Sequence, residues 1–233
     1  MQWAERDAAG IGALADPVRR RLYLYVCSRP EPVGRDQAAE AVGVARHQAK
    51  FHLDRLEADG LLESEFARLS GRSGPGAGRT SKLYRRSDRE ISVSLPDREY
   101  LLAGRLLADS VAESVESGQP VLDVLHRRAA AHGRALGRSA LSGVPAPESS
   151  ASALRLATRL LAEHGYEPRP EDERVVLSNC PFHELAKVQT ELVCHMNEAL
   201  IAGVATTLAP HCPQVRLDPE PGRCCVVLEE GVS

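Results

Sequence analysis

The stretch RDQAAEAVGVARHQAKFHLDRLEADG, residues 35–60, decides the fold. Its spacing predicts a short helix from about Arg35 to Val42, ended by Gly43, and a longer one from Ala45 to Asp59, stopped by Gly60. On the second helix Ala45, Ala49, Leu53 and Leu56 form one apolar stripe. A short helix, a tight turn at Val42-Gly43-Val44 and a longer helix make a helix-turn-helix. Upstream, Leu14, Val18, Leu22, Tyr25 and Val26 recur at three- and four-residue intervals between Ile11 and Ser28, with Asp16-Pro17 suited to an N-cap and first helical position. Downstream, Leu61 to Phe66 alternates like a strand, Gly71 to Gly78 is a glycine-rich tip, and Lys82-Leu83-Tyr84-Arg85 returns as a second strand. The hairpin turns the helix-turn-helix into a winged helix, expected over residues 1–90.

The outer side of the second helix begins with Arg46, His47, Gln48 and Lys50. Arg pairs bidentately with guanine and Gln with adenine, so these side chains are competent to read base edges in the major groove of a double-stranded DNA operator. Any amphipathic helix has a polar outer face, and a winged helix can also serve protein contacts alone; motif and wing occurring together favour DNA. The hairpin adds Arg68, Arg72, Arg79 and Lys82, placed to meet phosphates or the minor groove.

The rest of the chain alternates helices with a few strands. Ile91 to Leu95 reads as a short strand or linker; helices follow from Asp97 to about Ser117, with Tyr100, Leu101, Leu106, Leu107 and Val111 on its apolar face, and from Pro120 to Arg138. Two long helices after a winged helix suit a symmetric dimer. The run SALSGVPAPES, residues 139–149, is a loop. Then come a helix over Ser150 to His164, a strand over Arg174 to Asn179, a long helix from His183 to about Leu208, and strands at Gln214–Leu217 and Cys224–Leu228.

Five of the six cysteines fall in that last part, as a C-x13-C-x17-C-x11-CC array of Cys180, Cys194, Cys212, Cys224 and Cys225, with His183, His195 and His211 threaded through it. Cys180 sits where a strand meets a helix N-terminus, which favours a thiolate. Thiolates suit iron–sulfur clusters or zinc, although no CxxC pair is present. Cys27, on an apolar helix, reads as a packing residue. Neighbours on a strand point to opposite faces, so one of Cys224 and Cys225 is expected to pack elsewhere. A disulfide within the array is a further option.

Composition agrees with a globular chain, 43% hydrophobic and 26% charged. Residues 1–90 carry 16 Lys+Arg against 13 Asp+Glu, and the remainder 13 against 19, so the positive balance lies with the winged helix. No apolar run approaches the roughly 18 residues of a membrane span. The N-terminus MQWAERDAAG has neither the basic flank nor the apolar centre of a secretion signal, so the expected localisation is cytoplasmic.

Several of these stretches resemble one family. The wing through Ser81-Lys82-Leu83-Tyr84-Arg85-Arg86 and Ile91 to Pro96, then Asn179-Cys180-Pro181-Phe182-His183-Glu184-Leu185-Ala186, Glu191-Leu192-Val193-Cys194-His195-Met196-Asn197 and Pro221-Gly222-Arg223-Cys224-Cys225-Val226 are similar to the SufR-like branch of ArsR/DeoR-type winged-helix regulators. The resemblance implies a homodimeric DNA-binding repressor of iron–sulfur cluster assembly genes, with one 4Fe-4S cluster per subunit gating operator affinity. It places cluster ligands at Cys180, Cys194 and Cys224, with Cys212 the leading fourth and His183, His211 or another group the alternatives. The expected fold is mainly α with small β components: an N-terminal winged helix (1–90), central dimerisation helices (91–138) and a C-terminal α/β cluster-binding sensor domain (139–233). One rival is a zinc- or thiol-based redox-sensing winged-helix regulator without a cluster. Another is an enzyme with Cys180 as nucleophile and His183 as base, but no known catalytic signature surrounds them, and the reading is of a non-enzyme.

Overall fold

A computed structural model describes residues 2–67, 80–171 and 174–231. The chain divides after Val93 into two compact units.

The first unit runs α1 (Gln2–Ala13), α2 (Pro17–Cys27), β1 (Val33–Gly34), α3 (Arg35–Val42), α4 (Arg46–Ala58), β2 (Leu62–Ala67) and β3 (Ser81–Arg86). Helix α1 has no counterpart in the sequence reading, and the helix after it begins at Pro17 with Asp16 as its N-cap, as the Asp16-Pro17 pair led one to expect. The Asp16 carboxylate sets that start by accepting from the Val18 and Arg19 backbone N–H groups at 2.9 and 2.8 Å, a cap worth about 1 kcal/mol. Helix α3 ends where Gly43 takes a left-handed φ of 71°, a conformation glycine adopts without steric cost. Leu22, Val26, Ala38, Ala49, Leu53, Leu56 and Tyr84 fill the core between these helices and an antiparallel sheet of order β1-β3-β2. Ala45 is exposed and serves as the N-cap of α4, outside the stripe made by Ala49, Leu53 and Leu56. The expected hairpin tip, with Arg68, Arg72 and Arg79, lies outside the described residues.

The second unit contains α5 (Tyr100–Ser117), α6 (Val121–Ala140), α7 (Ser150–Glu163), β4 (Pro168–Glu171), β5 (Arg174–Leu177), α8 (His183–Val188), α9 (Thr190–Thr206), β6 (Gln214–Leu217) and β7 (Val226–Glu229). Its strands form one antiparallel sheet in the order β4-β5-β7-β6. Helices α6 and α9 meet at backbone contact: a Cβ at Gly133 would lie 1.9 Å from the Leu200 carbonyl oxygen, and one at Gly203 would lie 2.2 Å from the Ala130 carbonyl oxygen. Helices α5 and α6 therefore belong to the same unit as the cysteine array.

Four expectations change here. The long helix from His183 is two helices, because Gln189 leaves helical geometry at φ −134°, ψ 66°. Helix α5 starts at Tyr100, since residues 97–99 are bonded to the loop at residues 179–181 instead of to a helical turn. Its buried side is Ala103, Leu106 and Ser110, while Tyr100, Leu101 and Val111 face outward. The last strand begins at Val226, so Cys224 and Cys225 lie just before it.

Candidate functional site

The second unit gathers four thiols from three chain segments: Cys180 between β5 and α8, Cys194 on α9, and Cys224 and Cys225 ahead of β7. They form two pairs. Cys194 Sγ and Cys225 Sγ are 2.7 Å apart, and Cys180 shares a hydrogen bond with Cys224. Cys194 also feels the charge of Cys180, and Cys224 that of Cys225, so the two pairs lie within electrostatic range of each other.

Backbone bonds hold the segments in place. The Cys224 N–H donates to the Leu177 carbonyl on β5 at 2.8 Å, and the Asp218 N–H donates to the Cys225 carbonyl at 2.6 Å. Outside the regular strand, consecutive side chains need not alternate across a sheet, which is how both cysteines turn to the same site; the expectation that Cys225 packs elsewhere does not hold. Cys212 is not drawn into either pair. It is half-buried after α9, with its thiol 3.9 Å from the Thr206 carbonyl and its backbone against Gly231. His183 faces Glu184 at 3.9 Å, His195 faces Glu198 at 3.4 Å on the helix side turned toward His126, and His211 is half-buried in the turn after α9. Among the described residues, no three His, Cys, Asp or Glu side chains converge as ligands of a single ion.

The thiols differ in acidity. The Cys224 bond does most to hold Cys180 below the ordinary thiol range; burial opposes it, and the Phe182 backbone N–H and the Arg98 guanidinium add to the lowering. Burial, then Cys225 and the charge of Cys180, push Cys194 up to about 12. The bond to Cys180 and burial raise Cys224. A polar chain backs the site: Tyr166 donates to Asn197 Oδ1, and Asn197 Nδ2 donates to Cys224 Sγ at 3.3 Å. Asn197 stands one helical turn beyond Cys194 on α9, a spacing that could have flagged it in the sequence.

The Cys180 loop is clasped to the residues leading into α5. Asn179 Nδ2 donates to the Gly165 carbonyl at 2.6 Å and the Asp97 carbonyl at 3.2 Å. Arg98 Nη1 donates to Asn179 Oδ1 and, at 3.2 Å, to the Cys180 carbonyl, and the Glu99 N–H donates to the Pro181 carbonyl at 3.0 Å.

In the first unit, Arg46, His47, Gln48 and Lys50 are all exposed on the first turns of α4. Arg46 lies 3.5 Å from Asp36, Gln48 Oε1 accepts from the Ala45 N–H at 3.3 Å, and Lys50 pairs with Asp54 at 2.7 Å. Lys82, expected to meet phosphates or the minor groove, is engaged within the unit: its ammonium bonds Asp54 at 3.0 Å and Glu57 at 2.5 Å, tying β3 to α4, and Tyr84 Oη donates to Asp54 at 2.7 Å. Burial alone would raise Asp54, but bonds from Lys50, Tyr84 and Lys82 outweigh it and bring the carboxyl to about 2.

The segment that carries this face, Leu14 to Glu65, matches the family model described as a helix-turn-helix domain. The helix-turn-helix supports DNA-binding transcription regulation and spans α2, α3, α4 and the start of β2. No curated protein and no solved structure matches the chain. Among the described residues no helix is long and apolar enough to cross a membrane.

Proposed function

We propose that the protein is a homodimeric transcriptional repressor whose grip on its DNA operator is gated by a 4Fe-4S cluster, one per subunit, held by Cys180, Cys194, Cys224 and Cys225, at genes of iron–sulfur cluster assembly. The observation that carries this reading is the gathering of four thiols from three chain segments in a chain that also carries a helix-turn-helix. Three of the four are buried, and cysteine thiolates are the ligands such clusters take. Cys225 replaces Cys212 as fourth ligand because it adjoins Cys194. A bound cluster would supply a redox-labile link among the three segments.

The chain's own residues relate this site to a dimer. Asn197 and Arg98 orient the Cys224 and Cys180 ends of the site, and the clasp at residues 97–99 joins the Cys180 loop to the start of α5. On the outer side of α5, Leu101, Gly104, Ala108, Val111 and Val115 are exposed at alternating intervals of three and four, with Leu101 61% and Val115 81% accessible. That is the spacing of a helix–helix seam, and small residues at Gly104 and Ala108 allow close approach. The occupant we assign is α5 of a second copy. A tenfold change in operator affinity requires only about 1.4 kcal/mol of difference between two dimer geometries.

The 2.7 Å approach of Cys194 to Cys225 favours a second reading, a thiol switch without a cluster. In it a hydroperoxide accepts two electrons, the two thiols lose their protons and form a disulfide, and an alcohol and water leave. One experiment separates the readings. Anaerobically purified wild-type protein should contain iron and sulfide in near-equal amounts, Cys225→Ser should lose both, and Cys212→Ser should keep them. Protein without iron or sulfide that loses two hydrogens on peroxide treatment supports the switch. Retention of the cluster by Cys225→Ser would remove Cys225 from the ligand set.

A further inference from the structure

Helix α4 has its core side fixed by Ala49, Leu53 and Leu56, all fully buried. At about 100° per residue, the direction opposite that stripe falls on Phe51, with His47 one turn earlier beside it. Phe51 is 65% exposed in the second turn of the helix, touching the His52 ring edge-on at 5.2 Å between centroids. The side chains around it are those of a surface that meets nucleic acid: Arg46, His47 and Lys50 stand on the same or adjoining turns. Three polar side chains of these turns already have partners within the chain, Arg46 toward Asp36, Gln48 on the Ala45 N–H and Lys50 on Asp54. The crest of the helix thus carries an exposed aromatic ring beside His47, with Arg46 and Lys50 further round on one flank.

A phenyl ring neither donates nor accepts a conventional hydrogen bond, so it cannot read the donor and acceptor pattern of a base pair. The apolar feature that a base edge presents in the major groove is the 5-methyl group of thymine. We propose that Phe51 is a specificity-determining residue of the operator complex and reads a thymine methyl in the major groove. The proposal rests on the DNA-binding reading of the helix-turn-helix, and it assigns the contact to a residue that carries neither charge nor hydrogen-bonding group. Because the ring is exposed and packs on nothing in the core, shortening it leaves the fold of the unit intact.

The test starts from duplexes selected out of a random library by the full-length protein. Each thymine of the selected site is then replaced singly by deoxyuridine, which keeps base pairing and removes only the methyl group. Affinity is measured by fluorescence anisotropy for wild type, Phe51→Ala and Phe51→Leu, with circular dichroism to check folding. One thymine per half-site should cost wild type about fourfold in affinity when demethylated, the equivalent of one buried methyl group. Phe51→Ala should lose that sensitivity and Phe51→Leu should keep part of it. A site with no methyl-sensitive thymine, or one as sensitive in Phe51→Ala as in wild type, overturns the proposal. Failure to enrich any duplex overturns the DNA-binding reading beneath it, a different result from enrichment without methyl dependence.

Discussion

Replacing Gly133 by alanine tests the packing on which the second unit depends. In an isolated helix the change would help, since alanine is favoured over glycine by about 1 kcal/mol in a helix interior. Here the new methyl group would sit 1.9 Å from the Leu200 carbonyl oxygen, 2.9 Å from its carbon and 3.0 Å from the Val204 nitrogen. All three are backbone atoms, so no side-chain rotation relieves the conflict. Reaching the about 3.3 Å of the tightest ordinary carbon–oxygen contact requires α6 and α9 to part by roughly 1.4 Å. Gaps of that order forfeit half or more of each dispersion contact along the interface, and overpacking of a filled core costs about 1–3 kcal/mol. Taking the upper end and subtracting the propensity gain leaves a net loss of about 2 kcal/mol. Urea denaturation at matched protein concentration measures it as a lower midpoint with an unchanged slope. Gly203→Ala approaches the same interface from the other side, 2.2 Å from the Ala130 carbonyl oxygen, and should behave alike. A Gly133→Ala protein as stable as wild type, or more so, would refute the backbone contact between these helices.

Two further outcomes follow from named groups. Asp54, held at about 2 in the folded chain against an ordinary 3.8, contributes stability that is complete above the unfolded value and lost as pH falls from about 4 toward 2; Asp54→Asn should flatten that acid limb in pH-dependent urea titrations, and an unchanged limb would refute the Lys50–Asp54–Lys82 assignment. Val115→Glu places a charge on the exposed α5 face proposed as the dimer seam without touching the core, so light scattering should report a monomer with an unaltered circular dichroism spectrum, and a persistent dimer would place the interface elsewhere.

The helix-turn-helix was legible because each of its signals is local. Asp16-Pro17, Gly43, Gly60 and the Ala49–Leu53–Leu56 spacing all act within a turn or two of chain, and the observed elements end where those residues stand. What was missed depends on partners far away in sequence. The start of α5 at Tyr100 is set by Asn179 and Pro181, about eighty residues downstream. The break at Gln189 carries no proline or glycine to announce it. Strand β4 begins with a Pro-Arg-Pro run and exists as an edge partner of β5, pairing Pro168 with Leu177. At the thiol site, periodicity assigned Cys225 to the far face of a strand; the strand begins one residue later, so the alternation had nothing to act on. Phe51 was read past because an exposed aromatic on a polar face breaks no helical pattern.

The clasp between residues 97–99 and the Cys180 loop also sets how much loose chain joins the two units. Residues 94–99 belong to the second unit while it is closed, with the Arg98 N–H bonded to Ser94 Oγ at 2.9 Å and the Glu99 N–H to the Pro181 carbonyl. Opening it would pay out six residues, up to about 20 Å of extended backbone. In the proposed dimer, that slack would lower the effective concentration of one helix-turn-helix for its half-site once the other is bound, a loss of avidity that needs no change in any base contact.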